Sequence, residues 1–163
     1  MSLDINHYIN DGFVKVCKVQ HQYSFTFNWE YCDINYDLLY SSHKSWVYAI
    51  CVDNIIYKLG ETGNPLGIAG YYFQPKTGST SRLGRYMNGD GTDAVIREKL
   101  SSEVNAGKVT IWARKCDTIL VETQVAGRKV NSLTTVHKDL EMKYLDYIKR
   151  TTGKYPELNK CRK

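Results

Sequence analysis

Five residues of this chain have side chains suited to moving a proton and holding negative charge, and each stands where its type is conspicuous: Tyr48, Lys58, Arg82, Tyr86 and Glu141. Tyr48 lies inside the apolar run WVYAICV, and Lys58 is the one charge in IIYKLG. A phenol, with an ordinary pKa near ~10, is a weak base at neutral pH unless a cation lowers that value. Lys58 is the candidate cation. Arg82 and Arg85 bring forks of permanently charged donors that suit a phosphate, and Tyr86 follows Arg82 by one helical turn. Glu141 stands four residues before Leu145 and seven before Ile148, on an apolar stripe. A carboxylate there is either a partner for the helix dipole or an inward ligand for a hard cation. With a divalent cation, these groups suffice to hydrolyse a phosphodiester: a base for water, positive charge for the phosphate, and a metal or acid for the leaving oxygen. The same types also have ordinary uses, as packing tyrosines, solvated lysines and surface arginines.

The element that must position Tyr48 and Lys58 is a β-hairpin over Trp46 to Gly60, two β-rich runs flanking Asp53-Asn54. Its register decides the chemistry. A two-residue turn at Asp53-Asn54 sets Tyr48 against Leu59 and sends Lys58 to the opposite face. A three-residue loop over Val52 to Asn54 sets Lys58 against Tyr48, and a bulge could also reconcile the two. The spacing alone suggests the two-residue turn. Arg82 and Tyr86 need a short helix over Arg82 to Met87, which Asn88 to Gly91 breaks.

Elsewhere, alternation over Phe13 to Val19 and Tyr23 to Trp29 predicts two half-buried strands within an N-terminal arm of residues 1–43. A domain over 44–163 follows, with a glycine-rich insertion at 63–81 whose Tyr71, Tyr72, Phe73 and Gln74 could read bases. Thr92 or Asp93 caps a helix running to about Asn105, with Gly107 as its stop. Lys108 to Cys116 is a strand, and Thr118 to Val125 a strand or turn. A last helix starts near Thr134 or Thr135 and ends before Gly153. Antiparallel strands followed by grouped helices give an α+β class with a small antiparallel sheet flanked by helices.

The 163 residues fit one domain of ordinary size, able to fold without staples. Five cysteines without a CxxC argue against a disulfide framework or a thiolate zinc site, and no HExxH occurs among four histidines. No apolar run is long enough to span a membrane, and MSLDINHYINDGF lacks the apolar core of a signal peptide, so a cytoplasmic location is expected. A net charge of +5 permits a polyanionic partner.

In Tyr48, Lys58, Arg82, Tyr86, Glu141 and Asn159 the sequence resembles the GIY-YIG nuclease superfamily, in its restriction-endonuclease and phage-endonuclease branch. Trp46-Val47-Tyr48 takes the place of the GIY strand and Lys58-Leu59-Gly60 that of the YIG strand. Arg82-Leu83-Gly84-Arg85-Tyr86 takes that of the arginine helix, with tyrosine in the histidine position. Glu141 matches the late glutamate, and Gly153, Pro156 and Asn159 the closing segment. The resemblance covers about residues 46–160 and favours the register that puts Lys58 beside Tyr48. It implies an endonuclease on double-stranded DNA, of the type II restriction kind. A loosely specific phage-type endonuclease and an inactive DNA-binding module are the other readings. It further implies one Mg²⁺ per site on Glu141 and Tyr48, Lys58, Arg82, Tyr86 and Glu141 as catalytic residues. DNA contacts would come from Arg85, Gln74, Lys76, Arg114, Lys115 and Asn159. A homodimer is expected, with residues 1–43 dimerising or touching DNA.

Overall fold

The computed structural model describes residues 3–22, 25–39, 41, 43–64, 67–68, 81–88 and 91–159, with the backbone alone at 25–28, 39 and 88. Its centre is the expected hairpin, β3 (Trp46–Val52) and β4 (Ile55–Thr62), joined by Asp53 at φ 47° and Asn54 at φ 68°. Two successive left-handed residues make the two-residue type I′ turn, so Val52 stands opposite Ile55. The three-residue loop is therefore not formed. Cys51 pairs with Ile56, and the register then shifts so that Ile50 pairs with Lys58 and Tyr48 with Gly60. Tyr57 is the extra residue. One inserted residue moves every later side chain to the other face, and this bulge, not the turn, brings Lys58 to the face of Tyr48.

The hairpin belongs to a five-stranded antiparallel sheet in the order β2-β1-β5-β3-β4. Here β1 is Val14–Gln22, β2 is Phe25–Cys32 and β5 is Val109–Lys115. Residues 14–22 and 25–32 are thus strands of the same sheet as the hairpin. Val16, Cys17, Val19 and Trp29 are fully buried there.

Strand alternation divides the core into two layers. Tyr48, Ile50, Val109 and Ile111 face α2 (Arg82–Asn88), α3 (Thr92–Lys99) and α4 (Ser101–Asn105), where Leu83, Tyr86, Ile96 and Val104 pack. Val47, Ala49, Cys51, Ile56 and Leu59 face α5 (His137–Thr152) and the 3₁₀ segment Ile5–Asp11. The helix expected over 92–105 is broken at Leu100 (φ −97°, ψ 8°), whose side chain fills the core. A four-residue helix, α1 (Tyr36–Leu39), follows β2.

Strand β4 is a sheet edge, and its outward backbone groups at Ile56 and Leu59 are occupied, as is Asn54 O in the turn before it. Ile56 N–H donates to Leu3 O (2.7 Å) and Ile5 N–H to Asn54 O (2.8 Å). The Asn159 amide both accepts from Leu59 N–H and donates to Leu59 O, each at 2.7 Å. Such cover removes a template for unwanted strand pairing.

The expected strand at Thr118–Val125 (β6) is present, and a second strand follows it, β7 (Arg128–Thr135). They pair as a separate ribbon around Ala126 (φ 50°) and Gly127 (φ 77°). Because Thr135 pairs with Thr118, α5 starts at His137 rather than at Thr134 or Thr135. No helix among the described residues is long and apolar enough to cross a membrane.

Gly60 is fixed by Tyr48. A Cβ built on Gly60 would lie 2.5 Å from the Tyr48 Cζ and Oη, and Tyr48 is 2% exposed and cannot swing aside. Gly60→Ala should therefore destabilise the fold by about 1–3 kcal/mol through overpacking. The expected readout is a lower urea midpoint at unchanged slope; an unchanged midpoint would show that the ring is free to move.

Candidate active site

Tyr48 stands in the middle of the buried strand β3, with its ring laid across the backbone of Gly60. Its Oη is the meeting point of the helical layer. Arg82 Nε donates to it at 2.8 Å, and it shares a hydrogen bond of 2.9 Å with Tyr86 Oη. Helix α2 brings both residues because four positions make one turn. Its start is fixed by Ser81, whose Oγ accepts from Gly84 N–H at 3.2 Å, as N-cap serines do. The guanidinium of Arg82 lies over the Tyr86 ring at 4.4 Å, and Tyr86 stacks on Trp29 at 5.5 Å. Arg85, three residues on, is exposed.

Asp93 completes the group and was not foreseen. Its Oδ1 accepts from Arg82 Nη2 at 2.9 Å, and the residue is 4% exposed. The sequence suggested Thr92 or Asp93 as a helix cap, but α3 has no side-chain cap. No local pattern marks an aspartate eleven residues after an arginine as its partner.

The electrostatics differ from expectation in one respect. Burial raises the Tyr48 pKa, and the opposing pull of Arg82 and of the Tyr86 hydrogen bond does not overcome it. Tyr86 is raised well above its usual value, first by burial and then by its proximity to Tyr48. The cation that favours a Tyr48 phenolate is thus Arg82 rather than Lys58, which pairs with Ile50 on the same face and is half-buried. Burial works against the charge of Arg82, but Tyr48, Tyr86 and Asp93 outweigh it and raise its pKa. At neutral pH both phenols are uncharged, so the Asp93 carboxylate holds the guanidinium.

Glu141 is 4% exposed and sits in α5, the layer on the other side of the sheet. The first residue of that helix, His137, meets Glu61, with Nε2 3.3 Å from Oε2. The last turn and its tail, Lys149, Gly153 and Tyr155, share a cavity with Ile55 and Tyr57. Helix α5 therefore runs antiparallel to β4. Glu141 lies one turn after His137, so it and the group of Tyr48, Arg82 and Tyr86 stand on opposite faces of the sheet.

The remaining expected contacts divide. Lys115 ends β5 on the Tyr48 face, exposed, with Nζ 5.7 Å from the Trp46 ring. Arg114, one residue earlier, points to the opposite face by alternation, where it donates to Tyr144 Oη, which donates to Asp11 Oδ2 at 3.1 Å. It is a structural tie there. Asn159 spends both ends of its amide on Leu59, so it acts as an edge clasp rather than a free DNA contact. Gln74 and Lys76 lie outside the described residues.

No cluster of three His, Cys, Asp or Glu forms among the described residues. Asp93 is engaged by Arg82, and Glu141 is the carboxylate that the sequence resemblance offers to a metal. One hard oxygen donor fits Mg²⁺, which keeps most of its waters, and does not fit a four-ligand zinc site.

No family model matches the chain, and no curated protein matches it. Solved structures do. A bacteriophage T4 EndoII mutant aligns over 96% of this chain and 98% of its own, with TM-score 0.59 and 13% identity. The restriction endonuclease HPY188I, in complex with product DNA, aligns over 97% and 84%, with TM-score 0.46 and 15% identity. The first likeness shows a shared α+β fold over nearly the whole of both chains, N-terminal strands included.

Removing Asp93 leaves a guanidinium whose side chain is 16% exposed without its carboxylate. Asp93→Ala should cost about 3–5 kcal/mol, as for other broken buried pairs, while Arg85→Ala stays within about 0.5 kcal/mol of the native chain. Denaturant unfolding measures both; equal midpoints for the two variants would show that the pair contributes nothing.

Proposed function

We propose that this chain is a Mg²⁺-dependent endonuclease that hydrolyses phosphodiester bonds in double-stranded DNA, of the type II restriction kind. The observation that carries the reading is the group on one face of the hairpin, in which Arg82 and Tyr86 both hydrogen-bond Tyr48 Oη while Lys58 occupies the neighbouring strand position. The shared fold with a phage EndoII supports it.

In this reading the phosphate docks on Arg82, whose planar fork carries five donors, with Lys58 and the exposed Lys115 beside it. A water aligned on the phosphorus gives its proton to Tyr48 Oη. Only its deprotonated form can take that proton, and the phenolate charge is held by Arg82 Nε and the Tyr86 hydroxyl, donors already in place, until the transfer neutralises it. Glu141 would hold the Mg²⁺, which when bound supplies positive charge at the leaving oxygen. One such site per chain cuts one strand, so a homodimer serves both.

The direct test is digestion of unmethylated phage DNA with Mg²⁺, where discrete bands are expected; binding without cleavage would make the chain a DNA-binding module. Arg82 touches the reacting group and Arg85 does not. In single-turnover reactions at saturating enzyme, Arg82→Ala should lose 10²–10³-fold, about 3–4 kcal/mol. Arg85→Ala should weaken affinity and change the rate by only a few-fold. A dead Arg85→Ala with a normal Arg82→Ala overturns the assignment.

The raised Tyr48 pKa fixes the sign of the pH dependence. Only the deprotonated phenol accepts the proton, so the rate should rise with pH from 7 to 9 without a plateau. Tyr48→Phe should abolish that slope; a plateau reached near pH 7 would exclude Tyr48 as the base.

A further inference from the structure

The side chain of His137 is not used by the chemistry above, yet it lies where three strand ends and a helix meet. Its Nδ1 shares a hydrogen bond of 2.9 Å with Ser45 Oγ, immediately before β3, and its Nε2 lies 3.3 Å from Glu61 Oε2, one residue past Gly60. Ser45 is 1% exposed, and its carbonyl accepts from Cys116 N–H at 2.9 Å, just after β5. The ring rests on Gly63, where a Cβ would lie 3.0 Å from both Cε1 and Nε2. Its surroundings are thus the ends of β3, β4 and β5, all within the sheet that carries Tyr48.

Helix α5 has no side-chain cap: Val136 takes the cap position and makes no such bond. A helix end without a cap relies on tertiary contacts to set its phase. At this end His137, the first residue of the helix, supplies the polar contacts of that kind, beside the apolar packing of Val136 and Leu140. Glu141 follows it by four residues, one turn away on the same side. What fixes the rotation and height of His137 therefore helps to fix the backbone from which the Glu141 side chain starts.

We propose that His137 is a positioning residue for the metal-binding carboxylate, its imidazole bridging Ser45 and Glu61 so that the start of α5, and with it Glu141 one turn on, is held against the ends of β3 and β4. The inference rests on the reading of Glu141 as the Mg²⁺ ligand. Outer residues that orient metal ligands typically contribute 10–100-fold in metal affinity, and His137 should fall in that range without itself touching the metal.

The test is Mn²⁺ binding to the full chain, read as free Mn²⁺ by electron paramagnetic resonance, with Glu141→Gln as the reference for a lost ligand. His137→Ala should weaken Mn²⁺ by 10–100-fold while leaving DNA affinity in the absence of metal unchanged. His137→Gln, whose amide can still reach Glu61, should recover part of the loss. Glu61→Gln removes one contact without opening a cavity and should weaken Mn²⁺ in the same direction, a check that stands even if His137→Ala does not fold. Native-like Mn²⁺ affinity in His137→Ala, or in both His137→Gln and Glu61→Gln, would overturn the inference alone. Native-like Mn²⁺ affinity in Glu141→Gln would overturn the ligand reading itself, and this inference with it.

Discussion

A guanidinium is carried into the interface between helix and sheet, and the other positions around it follow from how its charge is satisfied. Taking an ion out of water costs several kcal/mol unless its partners are excellent. Arg82 finds them on three elements: Tyr48 on β3, Tyr86 on its own helix and Asp93 on α3. The angle between α2 and α3 is therefore set by a charge pair as much as by Leu83 and Ile96. The Tyr48 ring is pinned at its hydroxyl end, so its body must lie across β4, and the residue beneath it has to be glycine. The constraint passes from a helix, through a phenol, to the backbone of an edge strand.

A second constraint acts along the same strand. The type I′ turn alone would place Lys58 on the α5 side, among Leu145 and Ile148, where an ammonium has no water. The bulge at Tyr57 inverts the strand from that point. It turns Lys58 toward the Tyr48 face and Leu59 toward the apolar layer, where Leu59 is 1% exposed. Packing and the proposed chemistry thus ask for the same inserted residue. The Asn159 clasp on Leu59 lies next to that bulge and occupies the outward groups of the strand just where its pairing has been disturbed.

What the sequence made legible follows the range of the interactions involved. Asp53-Asn54 marks the turn because both residues tolerate positive φ, and Arg82 with Tyr86 declares one helical face by spacing. Alternation marks Phe13 to Val19 as a strand, but its place between β2 and β5 depends on pairing with residues far along the chain. The bulge left no trace because Tyr57 is as good a strand residue as its neighbours. Strand β7 was missed because RKVNSLTT carries no buried face and takes its form only from pairing with β6. Arg114 and Asn159 look by residue type like phosphate or base contacts, and the hydrogen bonds that each makes within the fold carry no local sequence signal.

The acid in the group sets a limit on how the site can work. In the proposed reaction Arg82 must stay charged to hold a phosphate, and its ion pair with Asp93 favours that charge. The same carboxylate raises the Tyr48 pKa slightly and competes with any incoming anion for the guanidinium. Three partners against five donors leave the guanidinium able to take a phosphate oxygen without releasing Asp93. The resting site is thus a neutral phenol beside a neutralised cation. In the proposed reaction, proton transfer to the Tyr48 oxygen needs a phenolate that burial disfavours, and the two donors already aimed at that oxygen offset part of the cost. The arrangement trades a low resting population of the reactive form for donors that need no reorganisation when the charge moves.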